Sequence, residues 1–138
     1  MSASINLDEL DPETRARYEA EIERARIIYG TYKDMTLNDI VQQCMQDSED
    51  WFPDQAKSVP FLALALCGEA GEFANMVKKM VRSGRTDSDL SGEERLAIRL
   101  EAIDIFIYLC NIFGILGMDP VQTYGYKREI NIKKYTGG

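Results

Sequence analysis

Apolar residues recur at three- and four-residue intervals along most of the chain, and no segment sustains the strict alternation of a half-buried strand. The pattern predicts helices throughout. Asp11 before Pro12 supplies an N-cap and first-turn pair, and the stretch PETRARYEAEIERARIIYG is rich in helix formers at ion-pairing spacing. It predicts a largely solvated helix that Gly30 stops. Thr36, with Asp39 three residues on, opens a second helix, TLNDIVQQCMQDSEDWF, that Pro53 ends before the polar loop DQAKS.

A third helix is predicted from Val59 to about Val81. Its first half is apolar almost all round, so it reads as buried, and Lys78, Lys79 and Arg82 lie at the end where the helix dipole favours cations. The segment SGRTDSDLSG has the composition of a loop, after which Ser91 and Glu94 form the pattern of a capping box. The fourth helix, GEERLAIRLEAIDIFIYLCNIFGIL, runs to Gly117. Asp119 and Pro120 cap a last helix, PVQTYGYKREINIKKY, which frays into a Gly-Gly tail. The predicted fold class is all-α: a four-helix core over residues 36–138, with an N-terminal helical extension over residues 1–35.

Composition narrows what such a bundle can do. The 138 residues suit a single core, and apolar helices in so short a chain predict that subunits share buried surface as a dimer or tetramer. A formal net charge of -7 argues against a nucleic-acid backbone or an anionic membrane as partner, since both call for a basic face. A free nucleotide is compatible with it, because a bound divalent cation reverses the local field. The N-terminus MSASINLDEL has neither the basic nor the apolar region of a secretory leader, and the longest apolar stretches carry charges and are too short to span a bilayer, so a cytoplasmic protein is expected. Cys44, Cys67 and Cys110 are far apart and read as reduced, partly buried thiols. Histidine is absent, which removes histidine-based nucleophilic schemes and the Glu-x-x-His ligands of di-iron bundles. Catalysis must then run on carboxylates, lysines, tyrosines or metal-activated water.

Four carboxylates stand out by their setting. Glu69 and Glu72 lie three apart on the third helix, and Glu101 and Asp104 three apart on the fourth, so each pair projects from one helix face. Between Ala102 and Phe113 the only charge is Asp104, among Ile103, Ile105, Phe106, Ile107, Leu109 and Ile112. A carboxylate in such surroundings must be neutralised, paired or bound to a metal. Oxygen ligands without histidine suit Mg²⁺ or Mn²⁺ rather than zinc. The competing account is structural, with the acids paired to Arg95, Arg99, Lys78 or Arg82, or lining a wet helix face. Gly68 and Gly71 each cost a helix interior about 1 kcal/mol relative to alanine, and point to close approach of a backbone or ligand.

The order Glu69-x-x-Glu72, then Glu101-x-x-Asp104, resembles the ExxE and ExxD signature of the MazG-like all-α NTP pyrophosphohydrolase superfamily. The flanking stretches LALCGEAGEFANMVKK and EAIDIFIYL are similar to that family's core helices, over roughly Thr36 to Tyr135. The resemblance implies that Glu69, Glu72, Glu101 and Asp104 are catalytic and hold Mg²⁺ against a triphosphate. Water activated there attacks the α-phosphorus and releases pyrophosphate from a (d)NTP to leave the monophosphate. Glu69 is the candidate for proton acceptor.

The resemblance further assigns Tyr108 a hydroxyl contact to phosphate, and likens Lys127, Asn131 and Lys134 to the family's C-terminal phosphate-binding pattern. Lys134 stands where arginine is common, so it offers a point charge in place of a bidentate fork. Trp51, beside Phe52, falls where family members set aromatics against the base, and Lys79 could help to neutralise phosphate. Each has a structural alternative: a core tyrosine, a basic turn complementing the helix dipole, a core tryptophan, a solvated helix end. A homodimer or homotetramer is also implied, as is a substrate among dUTP, dCTP, a modified nucleotide or a phosphoribosyl-linked nucleotide. A nucleotide-sensing or helical interaction module without turnover would use the same fold.

Overall fold

Local capping chemistry decides where each helix begins. The computed structural model describes residues 7–137; the stretch 1–6, part of the segment examined for a leader, and the final glycine of the tail lie outside the described residues. Among these, five α-helices and two short 3-10 turns make up the secondary structure and no strand is present. The helices are α1 (Pro12–Tyr32), α2 (Leu37–Trp51), α3 (Val59–Arg82), α4 (Gly92–Ile115) and α5 (Pro120–Thr136). The chain divides between Met35 and Thr36 into two compact units.

The first unit is α1 with the 3-10 turn Leu7–Glu9 before it. Asp11 caps α1 by accepting from the amides of Glu13 at 3.1 Å and Thr14 at 3.0 Å. The Thr14 side chain first, then the Thr14 and Glu13 amides, hold its carboxyl below the ordinary aspartate value. Arg15–Glu19 and Arg26–Glu23 ion pairs run along a helix that has no buried residue, as the solvated reading expects. Gly30 does not stop it: α1 continues through Gly30 to Tyr32, and Lys33 forms the C-cap. Glycine ends a helix efficiently where it takes a left-handed conformation, and Gly30 does not; positive φ is reserved for Gly84, Gly117 and Gly137.

In the second unit α4 is the helix that the others use. α3 packs along it, α2 packs against its C-terminal half, and α5 makes a shorter contact with α2. Leu62 lies beside Asn111, Glu69 and Glu72 beside Glu101, and Met80 beside Ala97, so α3 and α4 run antiparallel. Thr36 and Asp39 form the reciprocal capping box of α2, at 3.1 and 2.8 Å, and Ser58 caps α3. The box expected at Ser91 forms only in part. Ser91 accepts from the Glu94 amide, but the Glu94 carboxylate pairs with Arg85 at 2.7 Å, a partner that only the fold supplies. Arg85 accordingly holds Glu94 below the ordinary glutamate value.

The core is built on Val41 and Cys44 of α2 against Cys110 of α4, with Ile40, Met45, Phe106 and Phe113 around them. Burial first, then the neighbouring Cys44, pushes the Cys110 thiol up to about 12, so it serves as a small apolar group rather than a nucleophile. Cys44 is also buried, while Cys67 is exposed. The expectation of a buried α3 holds for one face only: Leu64 keeps 75% of its surface, and Gly68 and Gly71 are exposed. Nor do these two glycines admit a close neighbour within the chain, since a Cβ on either would meet nothing within 4 Å. No single helix among the described residues is long and apolar enough to cross a membrane.

The close approach of α2 to α4 is at Gly114. A Cβ there would overlap the Sδ and Cγ of Met45. Replacing Gly114 by alanine removes about 1 kcal/mol of helix penalty but forces Met45 out of its place, which costs roughly 1–3 kcal/mol. Net destabilisation of Gly114→Ala is expected in chemical denaturation; a stabilised variant would contradict this packing.

Candidate metal centre and its cavity

The faces carrying the four acids meet because α3 and α4 pair antiparallel. One carboxylate oxygen each from Glu69, Glu72 and Glu101 lies within 4.8 Å of the others. Glu69 and Glu101 are half-buried, Glu72 exposed. Among the described residues, no lysine or arginine forms an ion pair with any of these three or with Asp104, so the structural account through Arg95, Arg99, Lys78 or Arg82 is not realised. One oxygen, Glu101 Oε2, is fully buried without a hydrogen-bond partner. A buried anionic oxygen without a partner is costly, and three convergent carboxylates repel one another. Burial foremost, then the negative charges of Glu72, Asp104 and Glu101, raises the Glu69 carboxyl above the ordinary value of 4.5. An all-oxygen donor set with an orphaned buried member fits a hard divalent cation.

Asp104 is not within the three-carboxylate cluster. It lines a neighbouring cavity of about 380 Å³ together with Glu69, which belongs to both. Tyr108, one turn on from Asp104, lines the same cavity. So does Trp51, which retains 68% of its surface and is therefore no core tryptophan, with Phe52 beside it. The candidates Glu69, Asp104, Tyr108 and Trp51 thus share one concavity, and Glu72 and Glu101 join it through Glu69.

The other candidates lie elsewhere. Lys79 lines a separate depression with Arg85 and Glu94. Lys127 lines an apolar one with Leu37, Phe113 and Tyr124. Asn131 is half-buried, and the exposed Lys134 holds its ammonium 5.1 Å from the Tyr135 ring. None of the four lines the carboxylate cavity, because they sit at the far end of α3 or on α5, whose packing is against α2. Conversely, the cavity wall includes Asp47, Ser48, Gln55 and Asn111, which sequence reasoning passed over. The signal was spacing: Cys44, Asp47, Ser48 and Trp51 fall at i, i+3, i+4 and i+7 of α2, and Asp104, Tyr108 and Asn111 on one side of α4.

Comparison with protein-family models, curated proteins and solved structures finds no significant match.

The raised Glu69 carboxyl carries a pH signature. Its folded state holds the proton more tightly than the unfolded chain, so metal-free stability falls as pH rises through the interval between the two values. Glu69→Gln therefore raises the thermal midpoint of the chelator-treated protein at neutral pH, and that gain vanishes below about pH 4, where glutamate is protonated in both states. A variant no more stable than wild type at pH 7 would refute the repulsion.

Proposed function

We propose that the chain is a Mg²⁺-dependent nucleoside triphosphate pyrophosphohydrolase of the MazG-like type, cleaving a (d)NTP to the monophosphate and pyrophosphate. The observation that carries this reading is the convergence of unpaired carboxylates from two helices beside a cavity large enough for a nucleotide portion. Glu69, Glu72, Glu101 and Asp104 would hold the ion. When bound, Mg²⁺ (or Mn²⁺) supplies neutralisation of phosphate charge and a more acidic water. The chain's own residues then orient and deprotonate. Glu69 is our choice of proton acceptor, since it alone among the clustered acids lines the cavity. A water oxygen bonds to the α-phosphorus, the α–β anhydride bond breaks, and pyrophosphate departs with its electron pair. Trp51 offers a ring face to the base and Tyr108 a hydroxyl to phosphate.

The same reading includes a homo-oligomer. Leu96, Leu100, Ile103, Ile107, Cys110 and Gly114 follow one another at alternating intervals of four and three along α4, the spacing of a helix-packing seam. Its C-terminal part is covered by α2 through Cys44 and Met45. Its continuation is bare: Leu96 and Leu100 are each 56% exposed and Ile103 is 51% exposed. A second copy of the chain is the occupant we assign, since the bare stretch continues the α2–α4 interface and most soluble oligomers are two-fold homo-oligomers that pair the same patch on both subunits. Ile107 is both in the seam and in the cavity wall, so the partner would border the site.

Two measurements test these statements. Wild-type protein with Mg²⁺ is expected to release pyrophosphate from nucleoside triphosphates, and Glu72→Gln or Asp104→Asn to lose at least about 100-fold while keeping their circular dichroism spectra. Metal-dependent binding without turnover would instead indicate a sensor. By light scattering the wild type is expected to be an oligomer, and the double variant Leu96→Lys, Leu100→Lys a monomer; an unchanged mass would remove the seam from the interface.

A further inference from the structure

Asn111 is a polar side chain buried to about nine-tenths, with 8% of its surface exposed, in the wall of the carboxylate cavity. Its Nδ2 donates to the Ile107 carbonyl at 3.0 Å, which fixes the amide and settles which end is oxygen. Oδ1 accepts no hydrogen bond, yet it is not among the fully enclosed unpartnered atoms, so it keeps access to open space; Asn111 borders both this cavity and a second depression lined by Gln42, Glu49 and Lys57. A buried amide oxygen left open in this way is an acceptor waiting for a donor.

Asp47 adds a second acceptor on the α2 side. Gln43 Nε2 donates to its Oδ1 at 2.7 Å and so holds the side chain, while no other hydrogen bond is made to the carboxylate. Asp47 and Asn111 line the same cavity, with Trp51 one turn beyond Asp47 and the metal-site acids Glu69 and Asp104 across it. A ligand whose phosphates lie at the acids and whose ring stacks on Trp51 presents its ring edge to these acceptors. A keto oxygen turned toward them meets oxygen against oxygen; an exocyclic amine satisfies them.

We propose that Asn111 and Asp47 form the base-reading wall of this cavity and select a nucleobase bearing an exocyclic amine, cytosine or adenine, over its keto counterpart. The assignment rests on the nucleotide reading above. A site built to hydrogen-bond one group rejects the analogue that lacks it, and one such pairing is worth about tenfold to hundredfold.

The test is calorimetric binding, with Mg²⁺, of the non-hydrolysable α,β-imido analogues of dCTP and dUTP, and of dATP and dITP, which differ within each pair at the amine or keto position and in the proton on the adjoining ring nitrogen. The amine member is expected to bind at least about tenfold more tightly in one pair or both, and which pair responds tells cytosine from adenine. Asn111→Ala and Asp47→Asn are each expected to bring that ratio below about threefold; Asp47 is only half-buried, so its variant stands if Asn111→Ala fails to fold. Binding without preference, or a preference that both variants keep, overturns the inference and leaves the hydrolase reading intact. Selective binding of the analogues with no turnover of the matching natural triphosphates sinks the hydrolase reading and keeps this one, and no binding of any analogue overturns both.

Discussion

Three carboxylates with oxygens within 4.8 Å of one another, one of them carrying a fully buried oxygen that has no partner, are the arrangement to which everything else in the second unit relates. Mutual repulsion and desolvation both work against it, and Glu69 records the strain as a raised carboxyl. No arginine or lysine ion pair relieves it among the described residues. The packing that enforces it is apolar: α3 and α4 lie antiparallel, and α2 clamps the C-terminal half of α4 through Val41, Cys44 and Met45. Hydrophobic contact thus holds the acids together against their own electrostatics, an arrangement compatible with the proposed cation.

The same packing shapes the space beside the acids. α2 brings Asp47, Ser48 and Trp51 opposite Asp104, Tyr108 and Asn111 of α4, so a ring face and a carboxylate on one side meet a carboxylate, a hydroxyl and an amide on the other. A ligand that joins an anion, reached through a metal, to a flat, donor-bearing ring would suit such a space, which is what supports the proposed nucleotide reading. The absence of histidine leaves carboxylates, lysines, tyrosines or metal-activated water for any catalysis.

Much of the fold was legible because its signals are local. Asp11, Thr36, Ser91 and Asp119 cap helices through amides two or three residues away, and each was readable as a cap from its neighbours alone. What depended on distant residues was not. Glu94 reads as half of a capping box until Arg85 claims its carboxylate. Gly30 reads as a stop, but nothing beyond it demands a left-handed turn. Spacing placed each acidic pair on one face, while the meeting of the two faces rests on the α3–α4 packing. Asn111 draws no notice within an apolar run, and only the fold shows that its oxygen is left open.

Diffraction from crystals grown with Mn²⁺, collected at the manganese edge, tests the metal centre most directly. An anomalous peak bounded by the carboxylates of Glu69, Glu72 and Glu101 is expected. Carboxylates that stay bridged by protons or ordered water at millimolar Mn²⁺, with no peak among them, would contradict it.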